Sequence, residues 1–166
     1  MLDGHDGAGK TTLAAMLAES LGGVHVRPFA GDTGRLLISY VNQGNVTLAA
    51  DLARQAVEET LSKSEAPVLV FDRHWMTAFS VLPETYWNEW QPLPPTTLCW
   101  ADLQTTLQRV NSRSHDEGES YDHRHFLSVY WELAKRFECN ILRTDQLSLD
   151  ESFASLYSWA AHFVKP

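Results

Sequence analysis

The sequence predicts a three-layer α/β fold, in which helices cover both faces of a five-stranded parallel sheet. Two observations support this prediction. Short apolar runs typical of buried strands alternate with longer segments of helical period along the 166 residues. A glycine-rich stretch also precedes the first helical segment, as it does where a strand passes through a phosphate-binding turn into a helix. The length is that of one domain, spanning 1–166.

Composition limits the classes of partner. With 44% hydrophobic residues the chain can bury a core without a disulfide, so Cys99 and Cys139 are predicted to be free thiols of a reducing compartment. A formal net charge of -8 argues against a nucleic-acid polymer as partner. No apolar run is long enough for a membrane span and no signal peptide is recognisable, which predicts a soluble, cytoplasmic protein without a membrane partner.

The segment Gly4–Thr11 matches G-x-x-x-x-G-K-[ST] at every fixed position. Its glycines let successive backbone N–H groups point at phosphate oxygens, and the helix that follows adds its positive dipole end. Lys10 is expected to bridge the β- and γ-phosphates, and the Thr11 hydroxyl to bind Mg²⁺. The motif therefore predicts ATP and Mg²⁺ as cofactors.

The strand before this loop is predicted to be truncated. Only Met1, Leu2 and Asp3 precede Gly4, whereas a central strand normally supplies about five residues. We interpret this as a misassigned start or a shortened chain. Mass spectrometry of the native protein tests that interpretation, and an N-terminus at Met1 would contradict it.

The remaining elements follow in order. The first helix is predicted to bury one face and to end at Gly22-Gly23; that face carries Leu13, Met16, Leu17 and Leu21. The predicted later strands are Val24–Arg27, Val68–Phe71, Leu98–Ala101 and Asn140–Leu142. The predicted later helices are Thr33–Asn42, Leu48–Ser62 (with Leu52, Ala56 and Leu61 on one side), Leu103–Arg113, Asp122–Phe137 and Leu149–Phe163. The segment Leu82–Pro95 reads as irregular.

A second group of polar residues, Asp72-Arg73-His74, follows the apolar run Val68–Phe71. A carboxylate at the carboxyl end of a buried strand lies where ligands bind in open α/β sheets. Asp72 could hold a Mg²⁺-bound water or accept a proton from the attacking group, and Arg73 could clamp an acceptor phosphate. An ordinary salt bridge at the strand end is the alternative.

Five segments in a fixed order carry a resemblance: Gly4–Thr12, Arg27–Leu37, Asp72-Arg73-His74, Leu107–Arg113 and Ser120–Phe126. Together they make nearly the whole chain resemble a thymidylate kinase-type nucleoside monophosphate kinase. The resemblance implies a P-loop NTPase fold with a short helical lid at about 113–124. It also implies transfer of the ATP γ-phosphate to a (deoxy)nucleoside monophosphate.

The resemblance assigns roles on the donor side. Its implied ATP-binding residues are Gly4, Asp6, Gly7, Ala8, Gly9, Lys10, Thr11, Thr12, Arg109 and Asp145, with Thr144 bordering the adenine. Its implied Mg²⁺ ligands are Thr11 and Asp72. Its implied catalytic residues are Lys10, Asp72, Arg73 and Arg113, the last of which would meet the charge of the transition state.

The resemblance also assigns the acceptor side. Asp6 would bind the acceptor sugar, Arg27 and Arg73 its phosphate, and Tyr121 would close against the sugar. Two arginines cancel the repulsion between two polyanions before transfer. Arg54 lies near the family's base-reading arginine. The usual stacking aromatic is missing from Leu48–Arg54, so the expected substitutes are Phe29, Trp75 and Phe79.

The predicted lid is acidic, with His115, Asp116, Glu117 and Glu119 and no arginine, which leaves Arg113 and Arg124 as the nearby cations. A structural metal on His115, Asp116, His123 and His125 is disfavoured, because residues two apart point to different faces of a helix.

Three functions remain open. The first is the monophosphate kinase; the second is a P-loop kinase of a nucleoside or another small-molecule hydroxyl, which Asp72 as a base would favour. The third is a nucleotide-binding regulatory protein with little turnover. The expected partners are small nucleotides, and a homodimer is suggested by analogy with related kinases.

Overall fold

The computed structural model describes residues 1–112 and 122–164. The predicted lid, with Arg113 and Tyr121, therefore lies almost wholly outside the described residues. The strands are β1 (Leu2–Asp3), β2 (Val24–Val26), β3 (Leu69–Phe71), β4 (Thr97–Trp100) and β5 (Asn140–Arg143). The helices are α1 (Lys10–Ser20), α2 (Asp32–Asn42), α3 (Val46–Ser62), α4 (Trp75–Phe79), α5 (Leu103–Asn111), α6 (His123–Arg136) and α7 (Leu149–Ala160).

All strand pairs are parallel, as predicted, but the prediction of one continuous five-stranded sheet is wrong. In the described part of the chain the strands form a three-stranded sheet in the order β1-β4-β5 and a two-stranded sheet of β2 and β3. A single parallel bridge between Leu2 and Asp72 joins the two sheets, with the Arg73 N–H donating to the Leu2 carbonyl at 2.9 Å. The reason is that β1, with two residues, is too short to form a ladder with both neighbours.

Helices cover both faces of the strands. Successive strand residues point to opposite faces. Accordingly, Val70 and Cys99 pack with the buried faces of α1 and α7, whereas Phe71 and Leu98 pack with those of α3, α4 and α6. The three-layer arrangement predicted from the sequence is therefore present around these strands.

Leu52, Ala56 and Leu61, which share one side of the predicted helix, do not form the buried face of α3. Leu52 and Ala56 are only partly buried and Leu61 is 50% exposed. The fully buried residues of this helix are instead Ala49, Ala50, Ala53 and Val57. Large aromatic side chains fill the core on this side, so the facing helix contributes mainly small ones.

The segment after β3 is more regular than the sequence indicated. Trp75–Phe79 forms α4, which was not predicted, and Glu84–Trp90 forms a 3₁₀-helix within the segment expected to be irregular. Trp75 is 1% exposed and its indole N–H donates to Thr96 Oγ1 at 2.8 Å. Phe79 is 2% exposed and stacks on Trp87 with ring centroids 4.7 Å apart. These two candidate stacking residues are therefore core residues.

Two further properties concern the described residues alone. None of their helices is long and apolar enough to cross a membrane. Cys99 and Cys139 are both free, and Cys99 is fully buried at the centre of β4.

Candidate phosphate-binding site and adjoining cleft

The loop between β1 and α1 requires glycine at its start. Gly4 has φ 137°, a conformation that L side chains rarely adopt. A Cβ there would lie 2.2 Å from the carbonyl oxygen of Cys99, so the loop runs against the backbone of β4. Gly7 also has positive φ, at 77°, and its Cβ would lie 3.0 Å from the Thr106 carbonyl of α5. A side chain is therefore excluded at both positions, because the loop backbone packs directly against β4 at Gly4 and against α5 at Gly7.

Lys10 opens α1 and folds back across the loop. It is 5% exposed, and its ammonium donates to the His5 carbonyl at 2.8 Å. Burial lowers the pKa of Lys10 to about 8, with a further lowering by Arg73 that Asp6 and Asp72 oppose. A buried ammonium with one carbonyl partner, beside a helix N-terminus, can exchange that carbonyl for phosphate oxygens.

Three polar side chains surround the Asp72 carboxylate, one from α1 and two from β2 and the residue that follows it. Thr11 Oγ1 donates to Asp72 Oδ2 at 2.6 Å, Arg27 Nε lies 3.3 Å from the same oxygen, and His25 Nε2 lies 3.7 Å from it. Asp72 is 3% exposed, and its Oδ1 is buried without a hydrogen-bond partner among the described residues. A carboxylate oxygen without a partner beside a hydroxyl is a donor set that suits Mg²⁺. The predicted ligands Thr11 and Asp72 therefore fit the ion.

Asp3 is a central residue that the sequence reading missed. Its buried carboxylate accepts hydrogen bonds from the N–H groups of Gly4 (3.0 Å), His74 (2.8 Å) and Thr77 (3.1 Å) and from the Thr77 hydroxyl (2.7 Å). It thereby ties the end of β1 and the loop to the turn that follows β3. The signal in the sequence was a charged residue directly before the loop, at the end of an apolar strand.

Arg73 is held in a strained backbone conformation, with φ 78°. Its guanidinium forms an ion pair with Asp6 and lies 3.4 Å from both the Gly4 carbonyl and the Tyr130 hydroxyl, and 3.3 Å from Thr77 Oγ1. Burial acts to lower the pKa of Arg73, but Tyr130 and the nearby carboxylates outweigh it and raise the pKa above its ordinary value. The guanidinium thus stays charged in a fixed position.

The Asp6–Arg73 pair lies in the wall of a cleft of about 250 Å³ between the loop, α2, α4 and α6. The apolar part of the wall consists of Phe29, Leu37, Ile38, Val81 and Phe126. The polar part consists of His5, Asp6, Arg35, Arg73, Thr77, Ser80 and Tyr130. A cavity that combines apolar walls with converging polar groups is typical of a site for a small organic molecule.

His5 is a second residue of this cleft that the sequence reading missed. Its Nε2 lies 2.7 Å from Nδ1 of His123, and its ring stacks on Phe126 with centroids 5.6 Å apart. Burial lowers the pKa of His5 to about 4 against the opposing effect of Asp6. Position two of the phosphate loop is variable in the motif, so the sequence offered no signal for it.

Arg109 and Asp145 lie on the side of the loop away from the cleft. Arg109 donates to the carbonyls of Gly7 (3.1 Å) and Thr144 (2.7 Å), and Thr144 Oγ1 donates to the Ala8 carbonyl at 3.1 Å. Asp145 accepts two hydrogen bonds from Arg143, which lower its pKa, and one from the Asp102 N–H. These contacts fix the loop backbone from α5 and from the end of β5.

The remaining predicted site residues are distributed as follows. Phe29 is 7% exposed and lines the cleft, and Thr12 is exposed in the first turn of α1. Arg27 faces Asp72 and does not line the cleft. Arg54 is not brought to the site: it pairs with Asp51 and Glu89 and lines a separate cavity. That cavity includes Met1 at the opposite, amino-terminal end of β1.

No family model and no curated protein matches the chain. The chain is similar to solved structures of a deoxyadenosine kinase from M. mycoides. The structure with bound dATP has a TM-score of 0.64 and 13% identity, covering 96% of this chain and 97% of that one. The structure with dCTP has a TM-score of 0.61, 13% identity and 97% coverage of both chains.

A third structure of that enzyme, with the products dCMP and dCDP, has a TM-score of 0.62 and 14% identity and covers 98% of each chain. At this identity the similarity shows the fold. The chain therefore shares the α/β fold of these deoxyadenosine kinase structures, and the resemblance to thymidylate kinases in particular is not supported by these neighbours.

Proposed function

We propose that the protein is an ATP- and Mg²⁺-dependent phosphotransferase whose acceptor is a nucleoside-type molecule bound in the cleft. The ion pair between Asp6 and Arg73 carries this proposal. Asp6 belongs to the loop that would hold the ATP phosphates, and Arg73 directly follows the proposed Mg²⁺ ligand Asp72, yet both line the cleft. An acceptor in the cleft would therefore face the γ-phosphate. The neighbouring kinase structures, with nucleotides bound, support the same class of reaction.

The residues of the loop would act together on the donor. Lys10 would leave the His5 carbonyl and neutralise charge on the β- and γ-phosphates, since a phosphate oxygen is the stronger partner for an ammonium. Thr11 and Asp72 would hold Mg²⁺, which supplies charge neutralisation at the transferring group. Arg109 would keep the loop backbone in place through Gly7.

For the acceptor, the geometry favours a free hydroxyl of a deoxynucleoside. A phosphorylated acceptor needs cations in addition to Lys10, because two polyanions must approach each other. Of the arginines within 1–112 and 122–164 that line the cleft, Arg73 pairs with Asp6, and the largely exposed Arg35 pairs with Asp32. A cavity of about 250 Å³ with Phe29 and Phe126 in its wall also suits a base and a sugar. A kinase of a nucleoside hydroxyl is the second of the three functions that the sequence leaves open.

The nucleoside monophosphate kinase is the second candidate, and the position of Arg27 favours it. The Arg27 side chain is 54% exposed, and its described ionic partner is Asp72. If Mg²⁺ neutralises Asp72, Arg27 is released and can bind an acceptor phosphate. A thymidylate kinase-like specificity belongs to this second candidate.

A panel of deoxynucleosides and deoxynucleoside monophosphates with ATP and Mg²⁺ tests the proposal, with ADP release as the readout. We expect release with at least one deoxynucleoside and its loss in Lys10→Ala. Release with monophosphates alone selects the second candidate. An absence of release with every acceptor contradicts both and favours a regulatory nucleotide-binding protein.

We further propose that the protein works in the cytoplasm with small nucleotides as its partners and without nucleic-acid polymers, given its net charge of -8. A homodimer is the proposed assembly, and light scattering after gel filtration measures it.

A further inference from the structure

The side chain of His5 leaves the phosphate loop and forms part of the wall of the acceptor cleft. The residue is 6% exposed. Its Nε2 lies 2.7 Å from His123 Nδ1, and the planes of these two rings make an angle of 65°. The His5 ring also stacks on Phe126, with an angle of 8° between the ring planes. Two residues of α6 therefore fix both the position and the orientation of this ring.

We propose that His5 and His123 act as one hydrogen-bonded unit that positions the acceptor, with Nδ1 of His5 as the contact to a polar group of the acceptor. This inference rests on the proposed function. Within 1–112 and 122–164, His123 is the hydrogen-bond partner of the His5 ring, which leaves the second ring nitrogen for a ligand. His5 is a positioning residue in this scheme, because no bond forms or breaks on it.

The surroundings of the ring determine what kind of group it can bind. Burial holds the pKa of His5 well below neutrality; His123, Lys10 and Arg73 lower it further, and Asp6 opposes them. The ring is therefore neutral at pH 7 and has one N–H donor and one acceptor nitrogen. A neutral ring offers a hydroxyl or an amide-like group a hydrogen bond, but it offers a phosphate no charge.

The bond to His123 also decides which nitrogen of His5 carries the proton. If His5 Nε2 donates to His123, then Nδ1 of His5 accepts from the acceptor molecule. If His123 Nδ1 donates, Nδ1 of His5 carries the hydrogen and donates. The direction of the bond to His123 thus sets whether Nδ1 of His5 donates to the acceptor molecule or accepts from it.

His5 contacts the donor side and the acceptor side through different atoms. Its carbonyl accepts from Lys10 at 2.8 Å, whereas its ring faces α6 and the cleft. When ATP draws Lys10 to the phosphates, the ring keeps its contacts to His123 and Phe126. Removal of the ring nitrogens should therefore weaken acceptor binding and leave ATP binding unchanged.

A purely structural role makes a different prediction. If the pair only pinned the loop to α6, its loss would loosen the loop backbone that receives the phosphates. ATP affinity and melting temperature would then fall together with acceptor affinity, since all three depend on the same backbone.

Calorimetry on the full chain distinguishes these roles, with the four 2′-deoxynucleosides as probes in the absence of ATP and with MgATP measured separately. His5→Phe keeps a flat ring on Phe126 and removes both nitrogens, and His123→Phe removes the partner. The control is His162→Phe, at the exposed end of α7. We expect about tenfold weaker deoxynucleoside binding in each of the two variants, from the loss of one hydrogen bond.

We expect the double variant to be no weaker than the weaker single one, because the two residues act as a unit. ATP affinity should stay within about twofold of the wild type. If His5→Phe does not fold, His5→Asn replaces it: an amide keeps a donor and an acceptor, so deoxynucleoside binding should stay within about threefold of the wild type.

The outcomes separate the two proposals. Unchanged deoxynucleoside binding in His5→Phe, or an equal loss of ATP affinity, overturns the role of the pair and leaves the proposed function intact. Tenfold weaker binding in His5→Asn also overturns it. A wild-type protein that binds none of the four deoxynucleosides overturns the pair's role and the deoxynucleoside acceptor together.

Discussion

Thr11, in the first turn of α1, donates a 2.6 Å hydrogen bond to the carboxylate of Asp72 at the end of β3. The two residues are 61 positions apart in the chain and belong to two separate motifs, each of which predicts a Mg²⁺ ligand. Their contact therefore supports a common role. Oδ1 of Asp72, which has no hydrogen-bond partner in the part of the chain that the structure describes, provides the second oxygen of the same group.

The first prediction concerns this contact. Asp72→Asn keeps the size of the side chain but removes its charge, so we expect the Mg²⁺ concentration for half-maximal activity to rise at least about tenfold. Steady-state rates across a Mg²⁺ titration measure this. Asp32→Asn, on the exposed surface of α2, is the matched control and should leave the titration unchanged. An unaltered Mg²⁺ requirement in Asp72→Asn would remove this residue from the metal site.

The second prediction concerns Gly4. In Gly4→Ala the new methyl group meets the Cys99 carbonyl of β4, so we expect both the free energy of unfolding and ATP affinity to fall markedly. Gly44→Ala is the control. Gly44 also has positive φ, at 75°, but a Cβ there meets nothing within 4 Å, so its cost should be only about 1 kcal/mol. Equal losses of unfolding free energy in urea would show that the close approach to β4 is unimportant.

The third prediction separates the two arginines assigned to the acceptor phosphate. Arg73→Ala should raise the acceptor KM by about 10- to 100-fold, because a charged hydrogen-bond donor leaves the cleft wall. Arg27→Ala should leave the KM for a deoxynucleoside unchanged, since Arg27 does not line the cleft. Steady-state kinetics with a varied acceptor supply both values. A lowered kcat with unchanged KM in Arg73→Ala would mean that Arg73 acts only in the transition state.

The fourth prediction concerns stability and pH. Burial and the N-terminal charge lower the pKa of His74 from 6.5 to about 3. The unfolded chain thus binds this proton at a higher pH than the folded chain, so the free energy of unfolding falls as pH drops below about 6.5. From pH 7 to 5 the loss from His74 is about 2 kcal/mol.

Urea unfolding at the two pH values measures this loss. His74→Phe, with its ring between Phe71 and Trp90, should make the dependence shallower by about 2 kcal/mol and leave the share of His5, whereas His162→Phe should not change it. An equally steep dependence in His74→Phe would assign the proton uptake to other groups, among them His5.

The donor side of the site was predictable because its chemistry is local in the chain. The spaced glycines of Gly4–Gly9, with Lys10 and Thr11, define the loop, and Asp72-Arg73 follows a recognisable apolar strand. The partners of the acceptor side come from distant elements. Tyr130 of α6 joins Arg73 and Thr77 only through the fold, and no spacing in the sequence reports such a contact.

Arg54 is a predicted site residue that the fold places away from the cleft. Its position along the chain lies near the family's base-reading arginine, but its side chain turns to Asp51 and Glu89. A one-residue change in the phase of a helix moves a side chain by about 100° around the helix axis. The same helix buries mostly alanines, and its larger apolar residues are more exposed.

The shortness of β1 also has a mechanical consequence. Among the described residues, β3 and β1 are joined by a single bridge and not by a continuous ladder of backbone hydrogen bonds. The phosphate loop begins beside this junction between the two sheets. A bound nucleotide that contacts both the loop and Asp72 would hold the two sheets together across this junction. Hydrogen exchange at the amide of Arg73, which donates to the Leu2 carbonyl across it, should slow on ATP binding more than exchange within β4 and β5.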